Sequence, residues 1–466
     1  MHRSLLCAMA LAVAWSVPLA GRAQDTELAK LREEVRQLKQ AYESRIQALE
    51  QRLQESEAKS ASAPKTAAAP AGATPAEGRQ AAQSAFNPAI SLILQGTLAG
   101  SSRDPETHRI SGFVPSGGEV APPRRGFSLA ESELIVSASI DPYFRGQLTA
   151  ALTPDNKLEV EEAYFQTLAL GRGFTLKGGR FLSGIGYQNE IHQHAWDFQD
   201  ASLVYKAFLG GRLNDDGLQL KWVAPTDLFV ELGAELGRGR EFPGADRNRN
   251  SLANAGNLFG HIGGDIGAST AWRAGLSYLR ASPQDRSYDD LDSAGAGVSN
   301  SFSGTTRLWA LDGILKWAPG GNPTQTNLKL QGEYFRRSED GRLTYDPQAV
   351  SQGTQSGSYR SRQSGWYLQG VYQFQPQWRT GYRFDRLRAG TTNIGLVGSG
   401  ALSAADFPVL EGHNPRRHTL MVDWSASEFS RLRLQLARDY SRAGEPDNQV
   451  LLQYVMSLGA HGAHRF

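Results

Sequence analysis

Residues 449–466, QVLLQYVMSLGAHGAHRF, alternate with a period of two. Val450, Leu452, Tyr454, Met456, Leu458 and Ala460 fall on one face of an extended chain, and Gln453 and Ser457 on the other. One apolar face at that period is a half-buried strand. Such a strand fits a β-sandwich as well as a barrel, so the connections upstream must decide.

Sixteen candidate strands begin near residues 89, 128, 142, 158, 173, 217, 227, 257, 271, 307, 325, 365, 377, 416, 428 and 449. Tight turns such as Asp141-Pro142, Gly171-Arg172-Gly173, Pro225-Thr226 and Ala268-Ser269 alternate with polar connections at 100–126, 182–216, 239–256, 281–306, 338–364 and 389–415, apart from short ones near 155 and 445. Short turns at one end and long loops at the other describe an up-and-down antiparallel barrel over residues 87–466, and an even strand count agrees with it. Trp222, Trp272, Trp317, Trp378 and Trp424 stand beside tight turns, and Trp309 and Trp366 near the starts of strands that follow long loops. All seven fall on the apolar face, as expected of rings at a membrane–water interface. The fold predicted is an all-β transmembrane barrel of about sixteen strands.

The start of the chain reads as an export signal. A basic Met1–Arg3, an apolar run to Ala20 and a small-x-small site at Gly21-Arg22-Ala23 predict a signal peptide over 1–23. The one cysteine, Cys7, lies inside it, so thiolate metal sites, disulfides and cysteine nucleophiles are not expected in the mature chain. Leu28, Leu31, Val35, Leu38, Tyr42, Ile46, Leu49 and Leu53 form an a/d seam that predicts a coiled-coil stem over 25–58. Residues 59–86 are Ala/Pro-rich and read as a linker.

The strands' second face is polar, and its charges make sense against a hydrated lumen rather than a dry core. Lumen-facing Arg145, Lys177, Arg379, Arg383, Arg431 and Arg433 are offset by Glu131, Glu133, Glu162, Glu333 and others, so no ion sign is selected. The third long connection, 182–216, is too apolar for a surface in water, with Ile185, Tyr187, Ile191, Trp196, Phe198, Val204, Tyr205 and Phe208. It is predicted to fold inward and constrict the pore, with Tyr187 and Trp196 at the narrowing.

This architecture, with its inward third loop, resembles the general and specific sixteen-stranded porins, and the last strand resembles the closing strand of bacterial outer-membrane barrels. The added stem is similar to that of the phosphate-selective porin family. The segments FNPAISLILQGTLAG (86–100), DPYFRGQLTAALT (141–153), VEEAYFQTLALG (160–171) and GIGYQNEIHQHAWDF (184–198) resemble a set of proteobacterial outer-membrane proteins, some linked to zinc-regulated uptake. The resemblance implies passive diffusion of small hydrophilic solutes or ions, a location in the outer membrane of a Gram-negative cell with the stem in the periplasm, and a homotrimer embedded in lipid. Cell-wall contact through the stem is compatible with it. The mixed charges of the lumen depart from the basic ladder of a phosphate channel.

His192 and His194, two apart in an extended stretch, point the same way, with Glu190 and Asp197 close in sequence. Imidazole with carboxylate suits zinc or another borderline divalent metal; the alternative is that both histidines hydrogen-bond within the loop. No other cofactor is indicated. There is no G-x-S-x-G, H-E-x-x-H or glycine-rich phosphate motif, and the chain is read as a non-enzyme. A formal net charge of +2 gives no support to nucleic-acid binding.

Overall fold

The computed structural model describes residues 88–117, 120–244 and 253–459. The expected signal peptide, stem and linker lie outside these residues, as do His461, His464 and Phe466.

The chain runs through β1 (Ala89–Ser101), β2 (Gly126–Leu129), β3 (Ser132–Ser139), β4 (Phe144–Leu152), β5 (Leu158–Thr167), β6 (Phe174–Leu182), β7 (Asn214–Val223), β8 (Phe229–Gly237) and β9 (Ala255–Ile266). It continues through β10 (Thr270–Ala281), β11 (Arg286–Leu291), β12 (Gly297–Trp317), β13 (Asn327–Tyr345), β14 (Gln355–Gln375), β15 (Trp378–Ile394), β16 (Arg416–Ser427), β17 (Ser430–Asp439) and β18 (Asp447–Gly459). Every pairing is antiparallel between neighbours, and β1 against β18, from Ser91↔Gly459 to Ser101↔Gln449, closes the sheet. β2 and β3 are two pieces of one wall strand, since both pair with β1. β11 pairs with the start of β12, whose remainder pairs with β10, so β11 is a hairpin arm rather than a wall strand. The wall is therefore a closed sixteen-stranded antiparallel β-barrel. Closure leaves no free edge, so each wall strand's backbone groups are met by a neighbour.

Alternation sets the faces. Leu94, Leu148, Leu220, Leu258, Leu276, Leu311, Leu368, Leu434 and Leu452 stand on the outer surface, while Gln219, His261, Gln331, Glu333, Arg383, Asp385, Arg433 and Gln435 are buried inside. The wall tryptophans share the outer face: Trp309 is 49% exposed, and Trp222, Trp272 and Trp366 are half-buried.

Part of the interior is packed with side chains. A core of Ile110, Phe113, Ile185, Trp196, Leu203, Tyr205 and Phe208 from the loops packs on Leu279, Leu308, Phe335, Tyr367 and Leu387 of the wall. A second core lies further into the long-loop end, around Phe302, Tyr345, Tyr359 and Phe407. Much of the charge inside is neutralised in pairs: Arg433 meets Asp423 at 2.7 Å, and Arg286 meets Glu339 at 2.8 Å. Paired and hydrogen-bonded charge is tolerated where isolated charge is not. The loops themselves supply the filling that would otherwise need a separate plug domain.

Candidate functional site

Residues 182–216 enter the lumen after β6 and return at β7. Ser183 Oγ and the Gly184 N–H donate to Glu235 of β8 at 2.5 and 2.8 Å. The N–H groups of Tyr187 and Gln188 donate to Glu333 of β13, each at 3.1 Å. Arg431 and Arg433 of β17 donate to the carbonyls of His194 and Trp196, at 2.6 and 3.0 Å. Asp200 meets Arg383 of β15 at 3.1 Å and contacts Arg417 of β16. Then α1 (Leu203–Leu209) buries all seven side chains, all but Lys206 of them in the core, and ends at Gly210, whose φ of 68° terminates the helix. The loop thus crosses the barrel and is held by walls on several sides.

Below it lies a cavity of about 1010 Å³ reaching the short turns at Gly267–Ser269 and Ala318–Pro323. Tyr187, Glu190, His192, His194 and Asp197 of the loop face it, with Arg145, Lys177, Lys316, Lys329, Arg379 and Arg431 from the wall. Of the expected constriction residues, Arg145, Lys177, Tyr187, Arg379 and Arg431 therefore share one space. The others stand elsewhere. Arg383 and Arg433 are buried in ion pairs with Asp385 and Asp423. Trp196 is buried in the loop's core and donates Nε1–H to the Ile191 carbonyl at 2.8 Å. Glu133 is buried beneath the two histidines, and Glu131 contacts Arg212 at 3.4 Å.

The carboxylates beside the histidines differ from those their sequence neighbours suggest. Glu190 pairs with Lys221 at 2.6 Å, and Asp197 with Lys329 at 2.7 Å and Arg379 at 3.4 Å. Burial would raise both carboxyls, but Lys221 beside Glu190, and Lys329 and Arg379 beside Asp197, bring each down to about 2. Both are committed to cations. Strand residues take their place: His192 Nδ1 stands 3.3 Å from Glu133 Oε2 and 3.3 Å from Glu161 Oε2, its Nε2 is 2.9 Å from Glu162 Oε2, and His194 Nδ1 is 3.0 Å from Glu133 Oε1. Burial alone would discharge the His192 imidazole; Glu133, Glu161 and Glu162 outweigh it and hold its pKa well above the usual value.

Glu161 escapes strand alternation. Against β4 the register passes from Thr149↔Glu162 to Ala150↔Val160, leaving Glu161 unpaired. That is a β-bulge, which re-aims one side chain, and both Glu161 and Glu162 are buried inside. The adjacent pair Glu161-Glu162 in a strand was the available signal.

No protein-family model matches the chain. Among solved structures, it is similar to the outer-membrane protein OmpT of Vibrio cholerae in its trimer form (10% identity, 80% of this chain and 99% of that chain, TM-score 0.49). It is also similar to OprB of Pseudomonas putida (14% identity, 82% of this chain and 97% of that chain, TM-score 0.49). A protein of Aquifex aeolicus described as uncharacterized is 30% identical over 416 residues, covering 82% of this chain and 81% of that protein. The chain belongs to the family of that Aquifex aeolicus protein.

Proposed function

We propose that the protein is an outer-membrane channel for passive diffusion of small hydrophilic solutes or ions, narrowed by loop 182–216. One pairing carries the reading: a barrel with an apolar outer belt encloses a charged cavity that runs from the short-turn rim to that loop. A closed barrel with lipid-compatible outer residues meets the demand that no backbone group be left unsatisfied in a bilayer. Cations and carboxylates both line the cavity and polarise it. With the short turns facing the periplasm, the stem expected over 25–58 would lie there too, support a homotrimer and be placed for contact with the cell wall. Planar-bilayer recording of the purified protein tests the reading. Steps of conductance, enlarged when residues 185–212 are deleted, are expected. Silence from a folded barrel would point instead to a receptor or structural role.

Divalent-metal uptake is the second reading, favoured by the carboxylates and His192 at the cavity's edge. On it, zinc alters single-channel current in the parent and less in the His192→Ala, His194→Ala double variant.

A further inference from the structure

We propose that Glu133, Glu161 and His192 form a divalent-cation site of the zinc class that fastens the third loop to the barrel wall; this rests on reading that loop as the constriction. The three residues come from separate places: Glu133 from β3, Glu161 from the bulge of β5 and His192 from the loop. One donor atom from each lies within 4.8 Å of the others. The separations from Nδ1, both 3.3 Å, suit a single ion. Ligands about 2.1 Å from a tetrahedral zinc stand about 3.4 Å apart.

Each donor is held from behind by a different partner. His192 Nε2–H has Glu162 Oε2 as acceptor at 2.9 Å, and Nδ1 faces the two carboxylates, where an ion would displace the proton that Nδ1 shares with them. A metal-bound imidazole characteristically hands its other N–H to a carboxylate in this way, fixing tautomer and ring orientation. Glu133 Oε1 is taken by His194 at 3.0 Å, and Glu161 Oε1 by Arg212. The atoms left pointing at the common centre are therefore Glu133 Oε2, Glu161 Oε2 and His192 Nδ1. A second observation points the same way: Glu133 is wholly buried, and its Oε2 has no hydrogen bond of good geometry, only the contact with His192 Nδ1 at 3.3 Å. A buried carboxylate oxygen met only by one long contact is costly, and a cation at the centre would satisfy it. Two carboxylates and one imidazole neutralise a divalent ion and leave a position for water on the side where His192 lines the cavity. One nitrogen with two oxygens favours zinc over magnesium or calcium, which prefer all-oxygen shells. An ion here would join β3 and β5 to the loop, so that its loss would free the segment around His192.

Equilibrium dialysis of the purified full-length protein in detergent against micromolar zinc chloride, followed by elemental analysis, tests the site. About one zinc per chain is expected in the parent, with at least tenfold weaker retention in the Glu133→Gln, His192→Gln double variant. Zinc should also slow amide exchange over residues 185–198 in the parent and leave the variant unchanged. Equal retention by both proteins would overturn the proposal, as would retention without any change in exchange. If the double variant does not fold, the EDTA-stripped parent decides: failure to take up zinc in preference to magnesium would sink the site. Neither readout needs conduction. A protein silent in bilayers that still binds zinc refutes the channel, whereas a conducting protein that binds none refutes this site alone.

Discussion

Gly186 passes so close to Glu333 that a Cβ on the glycine would lie 2.3 Å from the carboxylate Oε2. The same carboxylate receives the next two backbone N–H groups and the hydroxyls of Tyr205 and Tyr367, at 2.9 and 2.6 Å. Glycine at a φ of 68° is what lets the loop come down onto β13.

Two substitutions should release this anchor by different routes. Gly186→Ala pushes the loop off through steric contact, whereas Glu333→Ala removes the acceptor and strands four buried donors. Unmet groups of this kind cost about 1–3 kcal/mol each before relaxation, so Glu333→Ala is expected to lose about 3 kcal/mol of loop-docking stability. Amide exchange over residues 184–190 would report it. Unchanged exchange in both variants would mean that this anchor does not hold the loop.

Asp200 is the second fastening. Its carboxylate meets Lys206 at 2.9 Å and Arg383 at 3.1 Å and also contacts Arg417. Burial would raise its pKa, but Arg417, Lys206 and Arg383 hold it well below the usual range. Asp200→Asn leaves three cations facing a neutral group. Arg383 and Arg417 keep Asp385 and Asp439 as partners, at 3.1 and 3.6 Å, so the loss should sit near the low end of the about 3–5 kcal/mol for breaking a buried pair. Faster proteolysis within 183–213 under native conditions is the expected sign, and parent-like resistance would count against it.

The outer belt makes a spectroscopic prediction. Seven tryptophans stand on the outer face of the wall, with Trp309, Trp317, Trp378 and Trp424 exposed there, while Trp196 is buried among loop residues. In vesicles of brominated phospholipid the wall rings should be quenched and Trp196 should not. Trp196→Phe should therefore lower the residual unquenched emission and leave the quenched part alone. An equal quenched fraction from all eight rings would contradict the assignment of faces.

Much of this wall was legible in the residues. Most strand starts, the alternation of short and long connections and the outward tryptophans follow from period-two patterning and turn chemistry, which are local; the starts expected near 307 and 365 are corrected to Gly297 and Gln355, because the polar stretches before them continue the ladder as strand. The metal-capable cluster was only half legible. His192-x-His194 announces itself by spacing, but its carboxylates come from β3 and β5, residues 133, 161 and 162, brought there by closure and by a bulge. Glu190 and Asp197 are near in sequence yet captured by Lys221, Lys329 and Arg379, whose reach into the lumen depends on the loop's path. The ion pairs of the interior were hidden for the same reason, since charges on separate strands look solvated until the register pairs them.

His108 supplies a pH test in the first long loop, between β1 and β2. That loop is tied to the connection between β17 and β18 by Ser111 N–H to the Ser441 carbonyl at 3.0 Å and by Arg442 to the Asp104 carbonyl at 2.5 Å. Burial brings the His108 pKa down to about 4, against the pull of Asp439 and with the help of Lys206, Arg442 and Arg417. In an undocked loop the imidazole returns to about 6.5. Between these values the undocked loop takes up a proton that the docked one refuses. Docking stability is therefore full above pH about 6.5, falls as the pH drops towards 4 and then levels off. The total loss has an upper limit of about 3 kcal/mol. Amide exchange over residues 102–117, followed from pH 7 to 4 and corrected for intrinsic rates, should accelerate in the parent. His108→Gln, which carries no proton in this range, should flatten the difference. If the variant accelerates as much as the parent, another group drives the change and His108 is only a buried ring.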